Sequence, residues 1–186
     1  NPYANGISYG GAAGSNFQLD LDGTASPLNI TSNAGGLAGG FASAQTGFMA
    51  TYNFIGQVAV DRTVNAAGSG HVAVGSPTST ASRGISMNLG PQSIVKLTRT
   101  AASTNQVILY GLSAFTNNNP VNITSAAAIS VDASDPTIGN RPFAVGISAR
   151  DFSPGSSSSM NVVSTGAVRV RTVTNGSAAG AQAQGI

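Results

Sequence analysis

The chain contains no cysteine, no tryptophan and no glutamate, and its 186 residues include one lysine, Lys96, and one histidine, His71. Without cysteine there is neither a disulfide framework nor a thiolate metal site, and a single histidine does not make a zinc centre. Charged residues are only 8% of the chain, against about 25% in ordinary globular proteins. The basic residues Arg62, Arg83, Lys96, Arg99, Arg141, Arg150, Arg169 and Arg171 are scattered. No cluster tracks a phosphate backbone, so nucleic acid is not an expected partner. No apolar run reaches the roughly 18 residues of a membrane-spanning helix, so no transmembrane segment is expected.

What is present is strand and turn chemistry. Hydrophobic residues make up 41% of the chain, enough for a core, and there are 24 glycines. Glutamate, lysine and other strong helix formers are scarce, whereas Val, Thr, Ser, Asn and Gly abound. Period-two alternation marks the strands. "NFQLDLDG" sets Phe17, Leu19 and Leu21 against Gln18, Asp20 and Asp22. "FMATYNFI" and "QVAVDRTV" follow, broken at Gly56. "GISMNLG", "SIVKLTRT", "AAAISV", "FAVGISAR" and "GAVRVRTVT" continue the pattern, the last with Val168 and Val170 opposite Arg169 and Arg171. "QVILYGLSAF" is nearly continuous in apolar residues, as a strand buried on both faces would be. Between these runs lie turn signals such as "TNNNP", "DASDP" and "SPGSSSS". No helix is indicated and no internal repeat stands out. The expected fold is all-β: a single β-sandwich or jelly-roll-like domain over 1–186. It has roughly nine to eleven short strands and long Gly/Ser/Asn-rich loops. Residues 1–16 and 175–186 read as extended terminal arms.

The chemistry-bearing residues do not assemble into an enzyme. His71 is the sole candidate base and no G-x-S-x-G elbow accompanies any serine; His71 reads as the start of a strand. With glutamate absent, paired carboxylates reduce to Asp20 with Asp22 and Asp132 with Asp135, neither of which would flank a sugar. The same four aspartates are the candidate ligands for a calcium ion, the one cofactor their oxygen chemistry suits. Tyr3, Tyr9, Tyr52 and Tyr110 are candidate sugar-stacking platforms, so a glycan is a further possible partner. "NAGGLAGGFASAQTGF", with Gly35, Gly39, Ser43 and Gly47 four apart, reads as a Gly-rich loop, its glycines being too costly for a helix.

A surface with so few charges is poorly protected against association. The expected partner is therefore a copy of the same chain. The candidate interface comprises Asp20 and Asp22 on the first strand, Arg169 and Arg171 on the last, and Gly176, Ala178, Ala181 and Ile186 in the small-residue terminus "NGSAAGAQAQGI". The acidic and basic strands suit side-by-side pairing, within one chain or between chains, and the terminus suits addition to a neighbour's sheet. A start at Asn1-Pro2 is what removal of a leader would leave. The expected function is a non-enzymatic, self-assembling structural subunit: an extracellular filament, fimbria-like fibre or cell-surface layer. A virion protein (jelly-roll capsid, decoration or tail component) is the alternative, and a secreted carbohydrate-binding module the further one.

Overall fold

The structure, a computed structural model, describes residues 16–32, 49–64, 71–75, 84–99, 108–135, 143–153, 155, 158–174 and 182–186. They form strands β1 (Asn16–Ser32), β2 (Met49–Val64), β3 (His71–Gly75), β4 (Gly84–Leu89), β5 (Ile94–Arg99) and β6 (Ile108–Thr116). The remainder are β7 (Val121–Ser125), β8 (Ala128–Asp135), β9 (Phe143–Asp151), β10 (Met160–Ser164), β11 (Val168–Thr174) and β12 (Gln182–Gln184).

Every strand pairing among the described residues is parallel. One sheet runs β10-β7-β4-β2-β5-β8-β11 with β1 also on β2, and the other runs β12-β9-β6-β3. The order follows from the length of β2. Its first half pairs with β4 and its second half with β5, and the strand bends at Gly56, whose φ is 71°. β2 thus crosses two faces of a stack, and β3 forms the third. Successive turns are β1, then β2–β3, β4–β6, β7–β9 and β10–β12. The architecture is a β-solenoid.

The β-sandwich and jelly-roll expectation is corrected by this topology, although its all-β character stands. Alternation shows which side chains share a face; it carries no information on strand direction. Parallel neighbours need a crossover of a dozen or more residues, normally helical. From β2 onward, the connection between stacked strands carries the strands of the other two faces. The expectation of no repeat is corrected as well. Asn16 pairs with Met49, Ala50 with Ile85, Ile85 with Val121 and Val121 with Met160, so one turn takes 33 to 39 residues. That period belongs to solenoids.

Side chains stack in columns along the axis. Leu19, Tyr52, Met87, Ile123 and Val162 form one inward column, and Ile30, Val60, Val95, Ile129 and Val168 another. Val74, Leu112 and Ile147 face them from the third ribbon. The middle members are fully buried, while Leu19, Ile30, Val162 and Val168 in the end turns are half-buried. The corners are narrow. A Cβ on Gly166 would sit 2.0 Å from the Ala127 carbonyl oxygen, so this turn tolerates no side chain without moving. β6 is buried on both sides from Leu109 to Thr116, because an outer cluster of Val72, Tyr110, Phe115 and Val145 covers its other face.

Candidate functional site

The six aspartates are the natural starting point, because they are the only acids in the chain. Asp20 and Asp22 project outward from the first half of β1, where the backbone register alternates them with Leu19 and Leu21. Asn53 on the next turn donates its Nδ2 to Asp20 Oδ1 at 2.7 Å, and Gln18 donates its Nε2 to Asp20 Oδ2 at 2.7 Å. Asp22 Oδ1 accepts from the Thr24 hydroxyl at 2.6 Å and the Thr24 amide at 2.9 Å. These two bonds stabilise the anion and hold the Asp22 carboxyl below its ordinary range. The aspartate is here a turn residue, bonding its own backbone two residues on.

Asp132 lies on β8, another face and three turns away, and Arg171 Nη1 donates to its Oδ2 at 3.3 Å. Asp135 ends the same strand. The two proposed calcium pairs are therefore not brought together, and no group of three or more potential metal-ligating side chains occurs among the described residues.

The expected pairing of Asp20 and Asp22 with Arg169 and Arg171 inside one chain is not formed. β1 pairs with β2 and β11 with β8, so the acidic and basic strands occupy opposite ends of the stack. Part of the terminal arm is also placed on its own body. Gln182–Gln184 pairs with Phe143–Val145, and the Gly185 carbonyl accepts from Ile147 N at 3.0 Å. Ile186 beyond it is 72% exposed. Gly176, Ala178 and Ala181 lie outside the described residues, as do Tyr3, Tyr9 and the Gly-rich stretch from Gly35 to Gly47.

Two of the sugar-platform tyrosines are removed by burial. Tyr52 points into the core with 0% exposure and Tyr110 is 5% exposed. Burial pushes both phenols above their ordinary range, with Arg150 opposing the rise at Tyr110. His71 does begin a strand, β3, pairing with Leu109.

Two clusters escaped the sequence reading. The first is a polar knot at the corner after β6 and β9. Asp151 Oδ1 accepts from Asn118 N and Ser153 N, each at 2.9 Å, and its Oδ2 accepts from the Ser158 hydroxyl. The signal was present as two turn motifs, "TNNNP" and "SPGSSSS", but only stacking brings them together. Phe115 beside it meets Tyr110 and Phe152 edge-on, with ring centroids at 5.2 and 5.5 Å, and Arg150 lies over its face. The carboxylate is fully engaged, so the knot acts as a clamp between turns. The second is a pair of inward arginines, Arg62 and Arg99. Arg62 donates to the Val72 carbonyl, and burial lowers its pKa to about 10.

The most open features are the end turns. β10, β11 and β12 pair only with β7, β8 and β9, and β1 only with β2, among the described residues. Met160 is 49% exposed, and a cleft of about 350 Å³ opens between Ile147, Arg150, Met160, Val162 and Ile186. The class defined by the fold is thus a parallel β-solenoid whose end strands have no second strand partner among the described residues. No protein-family model, curated protein or solved structure matches the chain. No helix among the described residues is long and apolar enough to cross a membrane.

Proposed function

We propose that this chain is a non-enzymatic structural subunit that assembles with copies of itself, outside the cell, into a filament, fimbria-like fibre or surface layer. The observation that carries this reading is the pair of end turns whose strand edges have no partner among the described residues. An open edge is a template for another strand, and soluble proteins normally blunt it with charge, proline or a covering loop. Here β10 carries no charge, and β10 and β11 offer Met160, Val162, Val168 and Val170 at the edge of the core, all of them exposed or half-buried, with charge confined to the outward Arg169 and Arg171 of β11. The two ends of a parallel stack differ, so a contact between them is head-to-tail and does not close on itself. Such contacts build open fibres. The low surface charge supports the same reading. A virion decoration or tail component is the second reading, favoured by the same open-ended stacking; a jelly-roll capsid is not carried by parallel sheets.

Sedimentation velocity over a range of concentrations, with negative-stain microscopy, tests the proposal. Concentration-dependent species and fibres are expected. A species that stays monomeric at every concentration, at both low and physiological salt, overturns it, and glycan binding by that monomer would move the assignment to a carbohydrate-binding module.

A further inference from the structure

We infer that the occupant of the β10–β11 edge is β1 of a second copy of this chain, docked in the one register that continues every column of the solenoid. The inference rests on the self-assembly proposed above and names the surfaces that carry it.

The backbone comes first. Gly90 N donates to Phe54 O, Ile85 N to Pro120 O and Val121 N to Ser159 O. On this face, then, the inward-facing residues of each turn direct their backbone groups at the following turn. Parallel ladders alternate strictly, so outward-facing residues direct theirs at the preceding turn. In β10 the inward residues Val162 and Ser164 aim donors and acceptors at a position with no strand among the described residues. In β1 the outward residues Gln18 and Asp20 aim theirs away from β2, at the opposite end. The two unsatisfied sets are complementary: Val162 N would donate to Gln18 O, and Asp20 N to Val162 O.

Side chains fix the register. Continuing the observed columns puts Leu19 of the next copy over Val162, Ile30 over Val168 and Gln18 over Asn161. The half-buried Leu19, Ile30, Val162 and Val168 would then be covered on both sides. Gly23 falls two residues after Leu21, as Gly166 falls two after Ser164, so the narrow corners coincide. A one-residue slip would turn Asp20 inward onto Val162, placing a carboxylate in an apolar core. A two-residue slip would move the corners apart.

Charge sets the polarity. β1 carries Asp20 and Asp22 and no base, whereas β10, β11 and β12 carry Arg169 and Arg171 and no acid. Head-to-tail contact brings opposite signs together and so favours the polar stack, Arg169 contributing more than Arg171, which is already paired with Asp132 of its own chain. Direct Asp–Arg contacts are not part of it: Asp20 meets Val163 in this register, and Arg169 meets Thr31. The arm formed by residues 182–186 stays on its own β9.

Because the chain lacks cysteine, a designed pair is unambiguous. A variant carrying Gln18→Cys and Asn161→Cys places the thiols on exposed positions of one column. Across a parallel strand pair their Cα atoms would lie about 4.8 Å apart, within disulfide range, whereas inside one molecule four turns separate them by roughly 19 Å. The control, Gln18→Cys with Val163→Cys, is two residues out of register at about 8 Å, beyond disulfide reach. Mild oxidation of assembled protein is expected to convert the first variant into a ladder of reducible multimers and to leave the control monomeric on a denaturing gel. Assemblies that sediment but do not cross-link, or cross-link equally in both variants, overturn the register and leave self-assembly standing. Wild-type protein that never assembles removes both.

Discussion

Three glycines separate the two costs that a side chain would meet in the corners of this solenoid. Gly155 has φ 72° and nothing within 4 Å of a built Cβ, so alanine there meets only an unfavourable backbone conformation. That strain is about 1–2 kcal/mol, offset by about 0.4–1 kcal/mol from restricting the unfolded chain. Gly166 has no such φ, but its Cβ would lie 2.0 Å from the Ala127 carbonyl oxygen and 2.5 Å from that of Ala126. Alanine at 166 meets a purely steric cost, about 1–3 kcal/mol for overpacking that the end turn partly relieves by moving. Gly56 has both problems: φ is 71°, and its Cβ would approach Thr24 N at 2.6 Å and the Gly23 carbonyl carbon at 2.7 Å. Gly56→Ala is therefore expected to cost about 2–4 kcal/mol, close to the sum of the other two. For a chain of this size that corresponds to a fall in Tm of roughly 4–16 °C. Circular dichroism melts of the three variants test the order, and hydrogen exchange on β1 and β2 locates the damage. Solenoids lose turns locally, so the amides of β1 are expected to lose protection first in Gly56→Ala. A Gly56→Ala variant within 0.5 kcal/mol of wild type, or one less affected than Gly155→Ala, would refute the stacked-corner account.

Phe54→Ala empties a fully buried position in β2 and is expected to cost about 3–5 kcal/mol by urea unfolding, whereas Ile94→Ser, at a half-exposed outward position, stays near zero. Lys96 Nζ and Asp61 Oδ2 are 3.0 Å apart on an exposed face; a double-mutant cycle should give no more than about 1 kcal/mol, and less as salt is raised. Thr24→Val removes the hydroxyl that depresses the Asp22 pKa, so an NMR titration should show that pKa rising toward 3.8. The sign follows: Asp22 favours the folded state above the ordinary carboxylate range and loses that contribution as pH falls through its folded pKa, and the variant loses part of it at every higher pH.

Several elements were readable from alternation alone. Leu19 and Leu21 face inward against Asp20 and Asp22, Ile85, Met87 and Leu89 are buried, and Val168 and Val170 oppose exposed Arg169 and Arg171. The same rule places Arg62 and Arg99 inside, since they continue the inward series Val58–Val60 and Val95–Leu97. Charge argued against that placement, and the period was the better guide. The stacking itself was hidden by corners of unequal length. Leu21 and Ile30, Phe54 and Val60, and Ser125 and Ile129 mark the same two columns, yet nine, six and four residues separate them. A repeat that loses residues at its corner shows no fixed period, so the recurrent Gly23, Gly56, Gly90 and Gly166 read as ordinary turn residues. β7 and β10, "VNITS" and "MNVVS", are short and half polar; β7 becomes a strand because β4 offers it a register, and β10 because β7 does. The ends were harder still. Asp20 with Asp22 and Arg169 with Arg171 stood out as opposite charges at opposite ends of the sequence, which invites a sheet closed by pairing them. In a solenoid, distance along the sequence becomes distance along the axis. The two charged strands are thereby kept apart within one molecule, at opposite ends of the stack.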